Sequence, residues 1–562
     1  MRGTRRAMQT TAAMRVIGAA FVCVLLSVPA RADCPLVRTV PLADLRAGLI
    51  AEGQAVVVEA VVTGAFAGRE RLGGFFIQQG TPPVGSFVYA PSWSGPVPRR
   101  GHRIQVDGRF VRFRGRGQIS QVTDIRDCGR VGLPDPVDLF VPADAKRFVD
   151  HLDVEVRFPQ VLTVTGNQDL ARYGTLALSA HGRLFRPWLG AVEPAEDRSA
   201  HRIWLDDGRY RMHPDPIPYL DGQGTRRTGD QVVGLTGILT HAFGAYRVHP
   251  TEAPRFIAAN PRPPPPPPPD QARRLAAVNL ENYFVTLGQR GASSRTELAR
   301  QRRKLAAVFD GLDADLIAVS EVENRRAALL DLVTQLNAGL PSSRQYRALE
   351  HPYPGDDAIK VALLYRPDRL TWVGSAADAD PVHRRPPLLG WFRAADEGPL
   401  LGIVTVHFKS KTGCPERDDL DQGQGCWNRL RTAQAERLVA WLASIRKPGD
   451  AITVAGDLNA YPGEAPIRFL ETADLRHLIA DHWPASQRYT YVFRGEAGQL
   501  DYLLGDHQTA AQVLRGGIWH INADEPAFLG YQGRRPAHGP WRSSDHDPLW
   551  VDLDVGGDPR VD

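Results

Sequence analysis

The segment PRPPPPPPPD at residues 261–270 constrains the fold more than any other feature of this 562-residue chain. Consecutive prolines have no backbone N–H donors and favour the extended polyproline II conformation, so the segment can neither join a sheet nor form an α-helix. We expect a stiff spacer that separates a front part of the chain from a back part. A ligand for a proline-recognising domain is the alternative interpretation. The length exceeds what one hydrophobic core organises and predicts roughly two to four domains.

Residues 1–32 have the layout of a signal peptide. The basic stretch MRGTRRAMQTTAAMR precedes the apolar stretch VIGAAFVCVLLSVP and the sequence Ala30-Arg31-Ala32, which fits the A-x-A cleavage pattern. We therefore predict cleavage before Asp33 and export, so that the protein is secreted or periplasmic. A membrane anchor is the alternative, but the apolar stretch is shorter than the ~20 residues that span a bilayer.

The formal net charge of +5 belongs entirely to this predicted signal peptide. Without it, 63 basic and 63 acidic residues remain. The strongly basic footprint of many nucleic-acid-binding proteins is therefore absent, and any affinity for phosphate must come from local patches or bound cations. A content of 43% hydrophobic and 23% charged residues is that of a globular protein, which excludes a largely disordered or fibrous chain.

Four cysteines remain after the signal peptide: Cys34, Cys128, Cys414 and Cys426. An even number in an exported chain favours disulfides. Pairing within each part, Cys34 with Cys128 and Cys414 with Cys426, is the simplest of three connectivities. The spacing shows no zinc-binding cysteine cluster.

The front part is predicted to be β-rich. Short β-branched and aromatic stretches, separated by glycine and proline, indicate antiparallel barrels or sandwiches in two modules, residues 33–145 and 146–260. Residues 37–145 resemble an oligonucleotide/oligosaccharide-binding (OB) barrel, and the second module resembles a β-rich unit that precedes certain secreted nucleases. An unrelated β-sandwich is the alternative.

The back part, residues 271–556, is predicted to be an α/β domain. Two stretches have helix-like apolar spacing, TELARQRRKLAAVFDGL and WNRLRTAQAERLVAWLASI. Apolar runs typical of buried strands alternate with them: LAAVNL, DLIAVSE, KVALLYRP, LLGIVTVHF, AITVAGDLN, LDYLLG and DPLWVDL. Polar side chains of the kind that metal-assisted phosphate chemistry requires stand at the ends of these runs: Asn279, Glu321, His407, Asp457, Asn459, Asp545 and His546.

Six motifs in order, VNLENYF, SEVEN, HFKSK, GDLNAYP, LDYLL and SDHDP, resemble the endonuclease/exonuclease/phosphatase superfamily. The resemblance covers residues 273–555 and extends to the secreted bacterial nuclease branch of that superfamily. It implies a four-layer α/β/β/α sandwich with one active site at the edges of its sheets. Taken singly, each of these residues would more often be structural or solvated, and their joint order is what favours function.

The resemblance implies a role for each matched residue. Asn279 and Glu321 would bind the divalent cation, with Asp545 as a further ligand, and such hard oxygen donors suit Mg²⁺ or Mn²⁺. Asp457 would orient or deprotonate the attacking water, and Asn459 would bind a phosphate oxygen. The remaining roles are acid/base and transition-state contacts by His407 and His546, and orientation of His546 by Asp501.

Further residues near the motifs are weaker candidates. Lys360, and Lys409 with Lys411, would contact substrate phosphate, although solvated lysines are the default. Bases could stack on Tyr283, Phe284 and Tyr461, for which core packing is an equal alternative. Glu323 competes with Glu321 but is better read as its support. In the loop GCPERDDLDQGQGCWN, Asp418, Asp419 and Asp421 could bind Ca²⁺, but the regular Ca²⁺-loop spacing is missing and a solvated loop is favoured.

These observations favour a secreted, metal-dependent nuclease acting on DNA, with RNA as a second substrate. A phosphatase or lipid-headgroup phosphodiesterase of the same superfamily is the alternative, and the OB-like module argues for the polymeric substrate. A noncatalytic protein with a decayed domain is disfavoured because all the matched chemical residues are present. We predict no membrane anchor and no obligate protein partner.

Overall fold

A computed structural model describes residues 34, 36–68, 70–186, 199–394 and 400–555. The predicted signal peptide lies outside the described residues. Within them, no helix combines the length and the hydropathy needed to cross a bilayer. Both cysteine pairs are bonded, Cys34 with Cys128 and Cys414 with Cys426, as the simplest connectivity predicts.

A closed five-stranded barrel forms the first part of the chain. Its strands are β1 (Ala55–Phe66), β2 (Gly74–Gln79), β3 (Val84–Tyr89), β4 (His102–Phe113) and β5 (Arg116–Arg130), in the order β1-β2-β3-β5-β4. Every second side chain of β1 points inward over its first half, from Val56 to Val62, because successive side chains alternate between the faces of a strand. Helix α1 (Leu42–Arg46) adds Leu42 and Leu45 to the barrel core.

A nine-stranded sheet follows the barrel. Its members are β6 (Val137–Asp138), β7 (Glu155–Phe158), β8 (Leu162–Gly166), β9 (Thr175–Ala180), β11 (Arg202–Asp206), β12 (Gln231–Val233), β13 (Leu235–Ala242), β14 (Ala245–Pro250) and β15 (Arg255–Ile257), with β10 (Leu184–Phe185) lying outside it. The spatial order is β15-β12-β8-β9-β11-β14-β13-β7-β6. Helix α2 (Leu170–Tyr173) and a 3₁₀ helix at Ala145–His151 flank this sheet. The front part is thus β-rich, as the sequence predicts.

The proline segment contains no helix or strand, and it lies along the back part of the chain. Arg274 donates from Nη2 to the carbonyl of Pro267 at 2.6 Å, and Arg515 donates to the carbonyl of Pro268. The indole of Trp519 reaches the carbonyl of Pro263 at 3.5 Å. Prolines keep their carbonyl acceptors although they lack N–H donors, so these three side chains bind the segment to the back part.

Two six-stranded sheets form the centre of the back part. The first has the order β18-β19-β17-β16-β29-β28 and the second the order β20-β21-β22-β23-β27-β24. The strands are β16 (Arg273–Tyr283), β17 (Leu316–Glu323), β18 (Arg347–Ala348), β19 (Ile359–Tyr365), β20 (Thr371–Ala377), β21 (Leu388–Arg393), β22 (Leu401–His407), β23 (Ala451–Asp457), β24 (Arg476–His477), β27 (Asp501–Gly505), β28 (Val513–Ile518) and β29 (Leu549–Leu553). Each of the seven apolar runs predicted to be strands forms one.

Helices flank both sheets of the back part. They are α3 (Arg295–Leu312), α4 (Arg326–Asn337), α5 (Asn428–Ile445), α6 (Ala465–Thr472) and α7 (His507–Ala511), with 3₁₀ turns at Ser342–Arg344, Ala485–Gln487 and Ala527–Leu529. One apolar cluster joins residues of both sheets, a second joins the first sheet to α3 and α4, and a third joins the second sheet to α5 and α6. Helix α3 starts where predicted, because Ser294 caps it by accepting from the N–H of Glu297 at 3.2 Å. The predicted α/β class of the back part is confirmed.

A small sheet connects the two parts of the chain. Strands β25 (Tyr491–Phe493) and β26 (Glu496–Gly498) form a hairpin of the back part, and β10 of the front part pairs in parallel with β26. Phe528 and Leu529 of the back part also belong to the apolar core of the nine-stranded sheet. The front part is therefore packed against the back part.

Candidate active site

The ends of four strands bring the chemical side chains to one edge of the two sheets. Asn279 lies near the end of β16, and Glu321 lies near the end of its parallel neighbour β17. In the second sheet, His407 and Asp457 end the parallel strands β22 and β23 as a register pair. Asn279 Nδ2 approaches Asp457 Oδ2 at 3.5 Å, so the two sheets meet at this edge.

His546 is bound to Asp501. Its Nδ1 lies 2.7 Å from Asp501 Oδ2, and both side chains are buried. Burial alone would lower the pKa of His546, but the attraction of Asp501 and Asp545 outweighs it and raises the pKa well above 6.5. The imidazole is therefore a cation at neutral pH, with its Nε2 left to donate.

Asp457 stands between the two histidines. Its carboxylate accepts from the backbone N–H of Asn459 at 2.8 Å and from the Asn459 amide at 3.1 Å. Asn459 reaches it from the left-handed region, with φ of 48°. Burial, followed by repulsion from Asp501, raises the pKa of Asp457 to about 7, which suits a group that takes up a proton near neutral pH.

His407 has the opposite charge state from His546. Its Nε2 lies 3.4 Å from Asp457 Oδ2 and 4.0 Å from Glu321 Oε1. Burial and the nearby guanidinium of Arg385 lower the pKa of His407 well below 6.5. The imidazole is therefore neutral, and its Nδ1 is buried without a hydrogen-bond partner among the described residues.

Carboxylates crowd around Asn279. Asn279 Oδ1 accepts from the N–H of Glu281, and Glu321 accepts from the N–H of Asn282 at 2.9 Å. Burial and repulsion from Asp545 raise the pKa of Glu281 to about 8 and also raise the pKa of Glu321. A divalent cation would relieve this repulsion, so the hard oxygen donors here fit Mg²⁺ or Mn²⁺.

A second group in the same site also has metal-ligand spacing. Asp457, Asp501 and His546 each offer one ligand atom, and these atoms lie within 4.8 Å of one another. Asp501, however, already accepts from His546, whose raised pKa keeps the imidazole protonated. A protonated imidazole cannot ligate a metal, so the group around Asn279 and Glu321 fits a cation better.

Asn522 binds the backbone of the loop that carries Asp545 and His546. The amide oxygen of Asn522 accepts from the backbone N–H groups of Ser543 and Ser544, at 2.8 and 3.3 Å. Its Nδ2 donates to the carbonyl of His546 at 2.6 Å. The fully buried Asn522 thus fixes the loop on both sides of Asp545.

The motifs and this geometry agree with a comparison against known families. Residues 284–546 match the Endonuclease/Exonuclease/phosphatase family. Over these residues, a little under half of the chain, the protein is similar to this family of hydrolytic phosphoesterases, whose members commonly use divalent metals. The match ends at His546, and Asn279 and Glu281 lie just before its start.

Solved structures also resemble about half of the chain. The human Nocturnin catalytic domain with bound sulfate anion is 18% identical, with 51% of this chain and 95% of that chain covered and a TM-score of 0.36. D. rerio TDP2 complexed with single strand DNA product is 15% identical, with 50% and 99% covered and a TM-score of 0.34. The Bacteroides thetaiotaomicron mannosyl-6-phosphatase Bt3783 is 14% identical, with 50% and 99% covered and a TM-score of 0.35. None of the curated proteins matches the chain.

The lysines predicted to contact phosphate have different surroundings in the structure. Lys409 Nζ donates to the carbonyls of Ser410 and Thr412, at 3.1 and 3.2 Å, so its ammonium group holds its own loop. Lys411 likewise binds the carbonyl of Gln424 at 2.6 Å and the carboxylate of Glu464. Lys360 is buried on β19 without an ion pair or hydrogen bond among the described residues, and this burial lowers its pKa.

The aromatic candidates near the motifs are buried. Tyr283 is fully buried and donates to Asp331, and Phe284 is 3% exposed, so both pack in the core and cannot stack on a base. Tyr461 is 4% exposed. For all three, core packing is the correct alternative. Tyr491, which the motifs do not mark, instead packs against His546 with ring centres 4.7 Å apart.

Two supporting features behave as the sequence indicates. Glu323 accepts from the backbone N–H groups of Val285 and Thr286, at 2.8 and 3.1 Å, and so supports the loop after β16. In the Cys414–Cys426 loop, Asp419 accepts from the first N–H groups of α5 and Asp421 from Gly423 and Gly425. The loop acids are therefore engaged with backbone, which gives no support to a Ca²⁺ site.

Sequence reasoning missed Glu281, Arg385, Tyr491 and Asn522. The motif VNLENYF contains Glu281, but only the positive φ values of Glu281 and Asn282, 50° and 56°, reveal the bulge that turns it toward the carboxylates. Arg385 donates from Nε to the carbonyl of His407 at 3.1 Å from a strand-free segment. Local sequence pattern carries no signal for such contacts, because they join residues far apart in the chain.

Proposed function

We propose that this protein is a metal-dependent phosphodiesterase that hydrolyses nucleic acid, with DNA as its main substrate and RNA as a second. The observation that carries the proposal is the placement of His407 and His546 on either side of Asp457, with His407 Nε2 3.4 Å from the carboxylate and a ring nitrogen of His546 within 4.8 Å of it. A cationic and a neutral imidazole beside a carboxylate that titrates near 7 supply an electrostatic contact for a phosphate and an acceptor for a proton. Asn279, Glu281, Glu321 and Asp545 provide the oxygen donors for a cation.

In the proposed reaction, water attacks the phosphorus in line with the ester bond that breaks. The new bond joins the water oxygen to phosphorus, and the water proton passes to the Asp457 carboxylate. The P–O ester bond opposite the water breaks, and the leaving oxygen takes up a proton from solvent to become a hydroxyl group. His546, kept protonated by Asp501, donates to a phosphate oxygen as negative charge develops there. Asn459 donates to another phosphate oxygen, and neutral His407 holds the position of Asp457. A cation bound by the oxygen donors would neutralise charge on the phosphate and hold it in position.

The finer features of the sequence interpretation belong to this proposal. We infer export through the signal peptide of residues 1–32, with release as a soluble protein outside the cytoplasm. We also infer a four-layer arrangement of the back part and an OB-like role for the barrel. In support, the barrel has five strands, and apolar clusters lie between the two sheets and between each sheet and its helices.

The test uses residues 33–562 with supercoiled plasmid, a single-stranded oligonucleotide, RNA and a phosphate monoester as parallel substrates. Each is incubated with Mg²⁺, Mn²⁺ or EDTA. We expect metal-dependent nicking of plasmid that is lost in His546→Ala and reduced in His407→Ala. Hydrolysis of the monoester alone would replace the nuclease with a phosphatase. No turnover of any substrate by the folded protein would contradict the proposal.

A further inference from the structure

The segment His520–Glu525 lies between the proposed active site and the front part of the chain. On its active-site side, Asn522 holds the loop of Asp545 and His546. The segment itself is fixed to that loop by Asp547, which accepts from the N–H groups of Asn522 and Ala523 at 2.7 and 3.1 Å. A displacement of the segment would therefore move the loop.

On its other side, the segment presents two buried carboxylates to the front part. Asp524 and Glu525 have fully buried side chains. Arg227 donates to both, at 3.3 Å to Asp524 and 2.5 Å to Glu525, and it also binds the carbonyl of His520 at 2.8 Å. Arg183 donates to Asp524 at 2.7 Å, and Arg262 donates to Glu525 at 2.8 and 3.0 Å.

Neutral donors of the front part complete the network. Thr228 and Asn260 donate to the carboxylate of Asp524 at 2.6 and 2.8 Å, and Thr225 donates to Glu525 at 2.8 Å. Asn167 donates to the backbone carbonyl of Asp524 at 2.8 Å. Nearly every partner of these two buried carboxylates therefore comes from before residue 271. Tyr489 of the back part adds a bond to Asp524 at 2.9 Å.

This arrangement is more than a stable interface. A buried charge that loses its partner is costly, so the back part cannot hold Asp524 and Glu525 in place by itself. Both carboxylates are within three residues of Asn522, whose side chain fixes the loop of His546. Only two or three residues of backbone therefore separate the carboxylates that the front part binds from the side chain that holds the loop of His546.

We propose that Arg227 and Arg183 of the front part, with Arg262 of the proline segment, position His546 and Asp545 through Asn522, so that the front part is a component of the catalytic unit. Arg227 is a positioning residue, since it does not reach the reacting atoms. The proposal rests on the nuclease function for its kinetic readout. Its structural readout, the exchange of backbone amides in residues 543–547, does not depend on that function.

A matched pair of neighbouring arginines tests the proposal in the full chain. Arg226 is as buried as Arg227, but it binds Asp230 at 3.0 Å and the carbonyl of Tyr219 within the front part. We expect Arg227→Gln to lower kcat by about 10-fold or more with KM within about 2-fold, because misplaced groups cost rate more than affinity. Arg226→Gln should leave both constants within about 2-fold.

Hydrogen exchange separates this proposal from the proposed function. The amides of residues 543–547 should exchange faster in Arg227→Gln than in the wild type and in Arg226→Gln. Equal exchange in folded Arg227→Gln and wild type would overturn the proposal, whereas absence of nuclease activity in the wild type would overturn only the function. If Arg227→Gln does not fold, Arg262→Gln removes one partner of Glu525 at the edge of the network and serves the same comparison.

A double-mutant cycle shows whether Arg227 acts through Asn522. The loss of kcat in the Asn522→Ala, Arg227→Gln double variant should be smaller than the product of the two single losses. Arg227→Lys, which keeps the charge but loses the forked geometry, should restore part of the activity. Fully multiplicative losses would contradict a route through Asn522.

Discussion

At the residue scale, the site depends on two buried histidines whose surroundings shift their pKa in opposite directions. The Nδ1 of His546 lies 2.7 Å from a carboxylate oxygen of Asp501. The Nε2 of His407 lies 3.4 Å from Asp457, and the guanidinium of Arg385 donates to the backbone carbonyl of His407. Burial disfavours the charged form of both imidazoles. The close carboxylate overcomes burial for His546, and no comparable attraction does so for His407. One imidazole can therefore hold a phosphate while the other stays neutral beside the proton acceptor.

Removing the Asp501 charge should shift the pH dependence of the reaction. Asp501 raises the pKa of His546 against burial, so in Asp501→Asn the imidazole loses its proton at a lower pH. We expect the alkaline limb of kcat/KM to move to lower pH, with a loss of about 100-fold at pH 8 that is smaller at pH 5.5. His407 is already neutral, so His407→Asn should lower the whole profile without moving that limb. Parallel profiles for wild type and Asp501→Asn would contradict the assignment.

Cation binding should release protons because of Glu281. With a pKa raised to about 8, this carboxyl group is mostly protonated at pH 7, and a bound cation requires the ionised form. Calorimetric titration with Mg²⁺ in two buffers of different ionisation enthalpy should show proton release, reduced in Glu281→Gln. Glu323→Gln is the control, since Glu323 lies on the same β17 as Glu321 and its carboxylate accepts from the loop backbone and pairs with Arg325. Equal release in all three proteins would exclude Glu281 from the cation site.

At the element scale, the strand ends fix the site, and β23 reaches Asp457 through an unusual backbone. Gly456 has φ of 133°, a conformation that side chains rarely adopt, and a Cβ there would lie 2.3 Å from the carbonyl oxygen of Val406. The strand can therefore bring Asp457 level with His407 on β22 only if residue 456 has no side chain. Pairing of the two strands and the chemistry at their ends depend on the same glycine.

Replacing this glycine should damage stability and activity together. Gly456→Ala should lower the free energy of unfolding by more than about 1 kcal/mol, since the backbone conformation and the space are both incompatible with a methyl group. It should also reduce kcat, because Asp457 is the next residue. Gly374→Ala on β20 is the control, since a Cβ there meets no atom within 4 Å and φ is ordinary. Thermal melts and kinetics of both variants check this, and similar behaviour of the two would refute the argument.

Seven strands and the two longest helices of the back part, α3 and α5, could be predicted from sequence because their signal is local. Buried strands such as Leu401–His407 are continuous apolar runs, and α3 has both apolar spacing and a cap at Ser294. The chemical residues at strand ends could be predicted for the same reason. Glu281 could not, because a bulge in β16 decides where its side chain points. Arg227 and Glu525 are separated by 298 residues, and no local sequence pattern predicts that they pair.

At the scale of the whole molecule, the front part packs against the back part at the segment His520–Glu525 and at a small sheet. The parallel pairing of β10 with β26 extends the hairpin whose Tyr491 packs against His546. On the same side, Arg202 of β11 donates to the carbonyl of Arg494 at 3.1 Å and pairs with Glu496. The front part thus supports the active site both through the buried carboxylates and through this small sheet. A change that weakens either contact should therefore alter the position of His546 and its loop.

Acid should loosen the contact between the two parts through Asp524. Burial alone would raise the pKa of Asp524, but Arg183 and Arg227 outweigh it and hold the pKa below its ordinary value. A carboxyl group whose pKa is depressed by folding contributes stability above its unfolded pKa of about 3.9, and this contribution is lost as the pH falls through the folded pKa. In Asp524→Asn the melting temperature should therefore be lower at pH 7 and depend less on pH between 5 and 2. The exposed Asp150→Asn should behave as the wild type, because Asp150 lies at the surface and is not part of this network. Calorimetric scans across this range decide the matter: wild-type steepness in Asp524→Asn would mean that other carboxylates, and not this network, give the molecule its sensitivity to acid.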